Sequence, residues 1–198
     1  MDSFKTFSSR YLWQRFLACA GFYKDTIDGD FGANSMKAAD EFEQASIALG
    51  NTLSSFDGRS EANIQTLLPA AQREAREFMK TVTDAGITIK IISATRTFAQ
   101  QDELFSHGRT KPGPKVTNAR GGQSNHNFGV AWDIGIFLNG AYQPASPLYS
   151  KVGAIGKRMG LEWGGDWPSF PDEPHFQVVP EEDLQKIAAN FEAGEVFV

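Results

Sequence analysis

The residues able to do chemistry in this chain are few, and they cluster. Among 198 residues there are three histidines and one cysteine, Cys19. The segment Ser124-Asn125-His126-Asn127-Phe128-Gly129-Val130-Ala131-Trp132-Asp133 sets a histidine and an aspartate in a largely apolar run. In a strand, Ala131, Asp133 and Gly135 point one way and Trp132, Ile134 and Ile136 the other. A carboxylate among such neighbours is costly if its charge is buried unpaired, and a cation would remove that cost. Ala131 and Gly135 are small and leave room beside it. His126 lies seven residues before Asp133, a spacing that a straight strand sends to the opposite face. Gly129 can supply the bend that brings the two together. His175 opens a second alternating run in which His175, Gln177 and Val179 share a face. Two histidines and one aspartate leave a coordination position for water, as expected of catalytic zinc. Spacing alone also admits structural or solvent-exposed histidines. His107, in Ser106-His107-Gly108, has no partner pattern and reads as a non-ligand.

These side chains need elements to position them. Pro69 suits the first turn of a helix, and Ala71, Ala75, Phe78, Met79 and Val82 recur at helical spacing until Gly86. The β-branched run Ile87–Ser93 predicts a strand. A helix is expected over Phe98–Phe105, strands over Val130–Leu138 and His175–Val179, and helices over Ser150–Met159 and Glu181–Glu192. The stretch Ser106–Asn127 reads as a functional loop, because ordered motifs bracket it. Helices and short strands mix without regular βαβ alternation, so the fold class is α+β.

The blocks from about Ile89 to Gln177 resemble the zinc peptidases of the M15 group, specifically its L-alanyl-D-glutamate endopeptidase branch, which includes many phage endolysins. They are Ser93-Ala94-Thr95-Arg96-Thr97, Gln101-Asp102-Glu103-Leu104-Phe105, Ser124 through Asp133, Gly108-Arg109-Thr110-Lys111-Pro112-Gly113 and Trp163-Gly164-Gly165-Asp166-Trp167. Ala94 departs from a more usual glycine but remains small. The resemblance implies a small, mainly antiparallel sheet flanked by helices, with His126, Asp133 and His175 as Zn2+ ligands. It makes Asp172 the general base, with neighbouring Glu173 as the rival. Arg96 is implied to hydrogen-bond the scissile carbonyl or a peptide carboxylate, the alternative being a structural salt bridge. Ser124 positions the His126 loop or a substrate amide, since no base partner marks it as a nucleophile. Trp163 and Trp167 either line the cleft or pack in the core.

Toward the N-terminus, Tyr11, Leu12, Phe16, Leu17 and Phe22 fall near helical spacing, with Gly21 as a stop. Asn34 or Ser35 can cap a second helix carrying Met36, Ala39, Phe42 and Ile47. A third, with Ser60 as a possible cap, carries Ile64, Leu67 and Leu68. Asp28-Gly29 and Asp57-Gly58 each precede a helix, an internal pseudo-repeat. Gly21-Phe22-Tyr23 and Ile27-Asp28-Gly29-Asp30-Phe31-Gly32, followed by Ser35, resemble a three-helix peptidoglycan-binding module. Asp57-Gly58-Arg59-Ser60-Glu61 lacks the second glycine of that pattern. The expected division is therefore 1–68 for a helical wall-binding module and 69–198 for the peptidase. The alternative is a helical cap that only stabilises the rest.

Composition narrows the partners. With 19 Lys+Arg against 24 Asp+Glu, the net charge of −5 argues against nucleic acid, whose ligands are usually basic. A lone cysteine makes no intrachain disulfide. No run approaches the roughly 20 apolar residues of a membrane span, and Met1 to Lys5 opens no signal-peptide core. The expected protein is a monomer made in the cytoplasm that reaches bacterial peptidoglycan through a membrane lesion or dedicated delivery. Its expected activity is zinc-dependent hydrolysis of the L-Ala–D-Glu bond. The alternatives are a D,D-carboxypeptidase, a secreted antibacterial effector, or an inactive wall-binding protein.

Overall fold

The computed structural model describes residues 9–179 and 183–198. The chain order is α1 (Arg10–Cys19), α2 (Ala33–Thr52), α3 (Gly58–Ile64), α4 (Pro69–Asp84), β1 (Ile89–Ser93) and α5 (Phe98–Ser106). A 3-10 turn (Asn125–Phe128) then leads into β2 (Ala131–Leu138), β3 (Ala141–Tyr142) and α6 (Leu148–Arg158). The chain ends with β4 (Glu162–Trp163), a second 3-10 turn (Gly164–Asp166), β5 (His175–Gln177) and α7 (Leu184–Ala193). The α+β expectation holds, and each strand and helix anticipated above is present within a few residues, except that α3 ends at Ile64 and leaves Leu67 and Leu68 in the link to α4, where Leu68 is the N-cap. The expected start of the last helix, at Glu181, lies outside the described residues, as does the segment Met1–Lys5.

Helix starts follow side-chain capping, which satisfies first-turn amides, but not always at the expected residue. Asp57 caps α3 by accepting from the amides of Arg59 and Ser60, while the Ser60 hydroxyl donates to the Asp57 carboxylate. The cap of α2 is Gly32; Ser35 is buried instead, its hydroxyl accepting from Gln14 Nε2 at 3.0 Å. Thr97 and Gln100 form a capping box at the start of α5. The Asn139-Gly140 pair, with both φ positive, closes the β2–β3 hairpin.

The sheet is antiparallel, in the order β1-β2-β5-β4, with β3 extending β2. Its register sets Asp133 opposite His175 on β5 and opposite Ser93 on β1. The other face carries Trp132, Ile134, Ile136 and Phe176, all fully buried against α4 and α6. Phe78 of α4 lies 4.5 Å from the Phe176 ring, centroid to centroid. A second cluster joins α1 and α2 to α7, Leu68, Phe128 and Val130. Helix α3 docks on β1, with the Ile91 amide donating to Ser60 Oγ and Asn63 Nδ2 donating to the Ile91 carbonyl. Among the described residues no helix is long and apolar enough to cross a membrane.

Helix α6 approaches the sheet so closely that its glycines are steric requirements. A Cβ at Gly153 would fall 2.4 Å from Trp163 and one at Gly156 2.6 Å from Phe176, both rigid rings. Gly153→Ala should therefore destabilise the fold by about 1–3 kcal/mol through overpacking. Thermal unfolding should record a Tm loss of several degrees, whereas an unchanged Tm would mean that α6 does not sit this close.

Candidate metal centre and cleft

Three elements bring three donors to one point. Asp133 and His175 face each other across the β2–β5 ladder, on the side opposite the core. His126 arrives from the 3-10 turn, which ends at Gly129 with φ 73°, the left-handed conformation that glycine adopts without strain. His126 Nε2 lies 3.1 Å from Asp133 Oδ1 and 3.1 Å from His175 Nδ1, and His175 Nδ1 lies 3.2 Å from the same Oδ1. The anticipated trio is thus assembled, both imidazoles being buried.

The outer ring nitrogens determine what these atoms offer. His126 Nδ1 is 2.6 Å from the Ala94 carbonyl oxygen, which can only accept, so Nδ1 carries the proton and Nε2 a lone pair. His175 Nε2 is 2.7 Å from Gln177 Oε1, and the Gln177 amide is oriented by donating from Nε2 to the Val179 carbonyl. His175 Nδ1 therefore also presents a lone pair. With both rings neutral, two imidazole lone pairs and a carboxylate oxygen converge, a donor set that suits a divalent cation.

Electrostatics agree. Burial pushes the His126 imidazole down to about 4, holding it neutral. Burial also opposes charge on Asp133, yet His126 and the Arg96 guanidinium hold its carboxyl well below the usual range. Burial likewise opposes charge on His175, but the hydrogen bond and charge of Asp133 outweigh it and raise its pKa. The cluster thus draws positive charge to itself.

The centre opens into a cleft of about 860 Å³. Asp172 lines it, its pKa raised by burial and then by the Asp133 charge. Glu173 is exposed and contributes its backbone carbonyl, which accepts from Trp163 Nε1 at 2.8 Å. Ser124 and Trp167 also line the cleft, the Trp167 ring lying 4.8 Å from that of His175. Trp163 does not. It is buried in the core between Gly153 and Gly165, because only glycines there leave room for its indole. Arg96 lies at the cleft with every nitrogen engaged: Nε donates to Ser93 Oγ, one terminal nitrogen to Gln101 Oε1 and the other to Asp133 Oδ2. It forms the salt bridge foreseen as the alternative to substrate contact. His107 stands outside, 3.7 Å from Glu103.

A family model described as D-alanyl-D-alanine carboxypeptidase matches residues 117–178, which hold all three donors. Peptidoglycan L-alanyl-D-glutamate endopeptidase CwlK of Bacillus subtilis (strain 168) is 38% identical over 127 residues, covering 58% of this chain and 74% of that protein. The chain belongs to the M15 family of zinc peptidases. The L-alanyl-D-glutamate peptidase of Listeria phage A118 is 31% identical over 127 residues, covering 62% of this M15 chain and 41% of the phage protein. The crystal structure of the Serratia marcescens L-Ala D-Glu endopeptidase ChiX shares the fold, with a TM-score of 0.50 at 24% identity, covering 63% of this chain and 89% of that one.

Two positioning residues of this M15 peptidase escaped the sequence reading. Gln101, fully buried, accepts from Arg96 and donates to Thr117 Oγ1 and the Ala119 carbonyl, tying the Asp133-paired arginine to the cleft wall. Gln177 fixes the His175 tautomer; its place on the His175 face was visible, its role was not. Gln177→Leu removes that acceptor and should weaken zinc binding about 10–100-fold, the usual cost of losing an outer-sphere partner. Gln177→Glu keeps an acceptor and should retain most of the affinity. Equal zinc Kd values for the wild type and Gln177→Leu in competition titration would contradict this assignment.

Proposed function

We propose that this peptidase hydrolyses the L-Ala–D-Glu bond of peptidoglycan stem peptides, with zinc held by His126, Asp133 and His175. The observation that carries the reading is the convergence of three lone-pair donors beside Asp172 in a cleft sized for a peptide. The similarity to CwlK, whose name states that bond, supports the choice of substrate. Bound zinc would polarise the scissile carbonyl and acidify a water molecule.

The chain's own residues supply the rest. Asp172 takes the proton of the attacking water and returns it to the departing amine, a role suited to a carboxyl whose pKa lies above the ordinary value. Arg96 keeps Asp133 ionised and oriented, leaving its Oδ1 to the metal. Trp167 packs against His175 and walls the cleft, and its indole donates to Glu162 at 2.8 Å, which fixes the ring. Ser124, at the head of the 3-10 turn, borders the entrance to the His126 side. The phage relative supports a lytic, endolysin-type role, and the resemblance of residues 1–68 to a wall-binding module supports retention on the wall.

Digestion of purified peptidoglycan followed by mass spectrometry tests the reading. New L-Ala C-termini with matching D-Glu N-termini are expected, lost with chelator and restored by zinc. Release of terminal D-Ala instead would mark a D,D-carboxypeptidase, and sedimentation with wall material without new termini a binding protein. Asp172→Ala should lower kcat by about 10²-fold or more, the range of general acid–base catalysis, and Glu173→Ala should be close to wild type. The reverse pattern would transfer the base to Glu173.

A further inference from the structure

We infer that Phe16 of α1 is a positioning residue of the metal centre, acting through Gly129 on the turn that carries His126. The inference rests on the metal reading above. The turn is only four residues long, and a 3-10 segment of that length has little stability of its own. Its geometry must therefore be imposed from outside.

Hydrogen bonds tie the turn to the sheet side, the Arg96 amide donating to the His126 carbonyl and His126 Nδ1 to that of Ala94, and three neighbours press on it from the helical side. The Phe16 ring lies over Gly129, so closely that a Cβ there would fall 2.7 Å from Phe16 Cε2. The Leu68 amide, at the start of α4, donates to the Gly129 carbonyl at 2.9 Å. From α7, Phe191 meets Phe128 edge-on at 5.3 Å. Phe16 is itself rigid: it is fully buried, stacked on Trp13 at 5.4 Å and edge-on to Phe42 at 5.4 Å. Gly129 holds the left-handed conformation that reverses the chain from His126 into β2, and its amide donates back to Asn125. A shift of α1 would thus be transmitted to His126 by steric contact over three residues. The other two ligands face each other across the β2–β5 ladder, one strand residue against the other.

Two consequences follow. The N-terminal helices belong to the machinery that sets metal affinity, whatever they bind on the wall. By linkage, metal binding must also stabilise the packing of α1.

Titration of the full chain with Co2+, followed by its visible absorption, tests this. Phe16→Ala should bind Co2+ roughly tenfold more weakly, as for loss of an outer-sphere support, with an altered spectrum from the displaced imidazole. Phe16→Leu should recover most of both. Leu17→Ala, which empties buried volume on the same helix, should lower Tm comparably and leave affinity and spectrum at wild-type values. In the wild type, zinc should slow amide exchange across α1. The inference is overturned if Phe16→Ala and Leu17→Ala lose affinity alike or not at all, or if zinc leaves α1 exchange unchanged. A wild type that binds no Co2+ overturns the metal reading along with it.

Discussion

Three lone pairs pointed at one another inside a protein form the constraint on which this structure turns. His126 Nε2, His175 Nδ1 and Asp133 Oδ1 sit 3.1–3.2 Å apart without a proton to bridge all of them. Such an arrangement favours positive charge at its centre, a proton on His175 included, and the surroundings hold it in place. The Ala94 carbonyl and Gln177 lock the tautomers, and Arg96 neutralises the far oxygen of Asp133. The donors are thus assembled by contacts within the fold itself.

That organisation extends outward along two routes. One runs from Asp133 through Arg96 and Gln101 to the cleft wall at Thr117 and Ala119, linking the donor cluster to the cleft surface by hydrogen bonds. The long loop after α5 is anchored along its length by the same helix. Arg109 and Arg120 lie over the Phe105 ring, and the Gly121 amide donates to Asp102. The other route runs from His126 through Gly129 to α1 and the N-terminal cluster by steric contact. A loop rich in glycine and proline is ordered here because both of its ends are tied to the same network.

Much of the site was legible in the sequence because its signals are local. The alternation of β2 separates Trp132, Ile134 and Ile136 from Asp133 unambiguously, and Gly129 is the one residue placed to turn His126 onto the Asp133 face. Other features depend on partners distant in the chain. Asn125 donates to Gln177 across 52 positions, and no spacing rule connects two uncharged amides that far apart. Trp163 reads as either a cleft or a core residue, and Gly153, on α6, decides for the core by making a slot for it. Ser60 and Asp57 are both acceptable caps by type; the choice falls to Asp57 because the Ser60 hydroxyl is turned back to its carboxylate and the amide of Ile91 reaches Ser60 Oγ. Strand β4, two residues long, is too short to carry a periodic signal.

The most direct measurement is the coordination of zinc in the loaded protein, by X-ray absorption or anomalous diffraction at the zinc edge. One tightly bound zinc per chain is expected, with two imidazole nitrogens and one carboxylate oxygen at about 2.0–2.2 Å and the remaining position open to water. The ligands should be His126 Nε2, His175 Nδ1 and Asp133. Zinc bound elsewhere, for example through His107, or no stoichiometric zinc at all, would contradict that expectation.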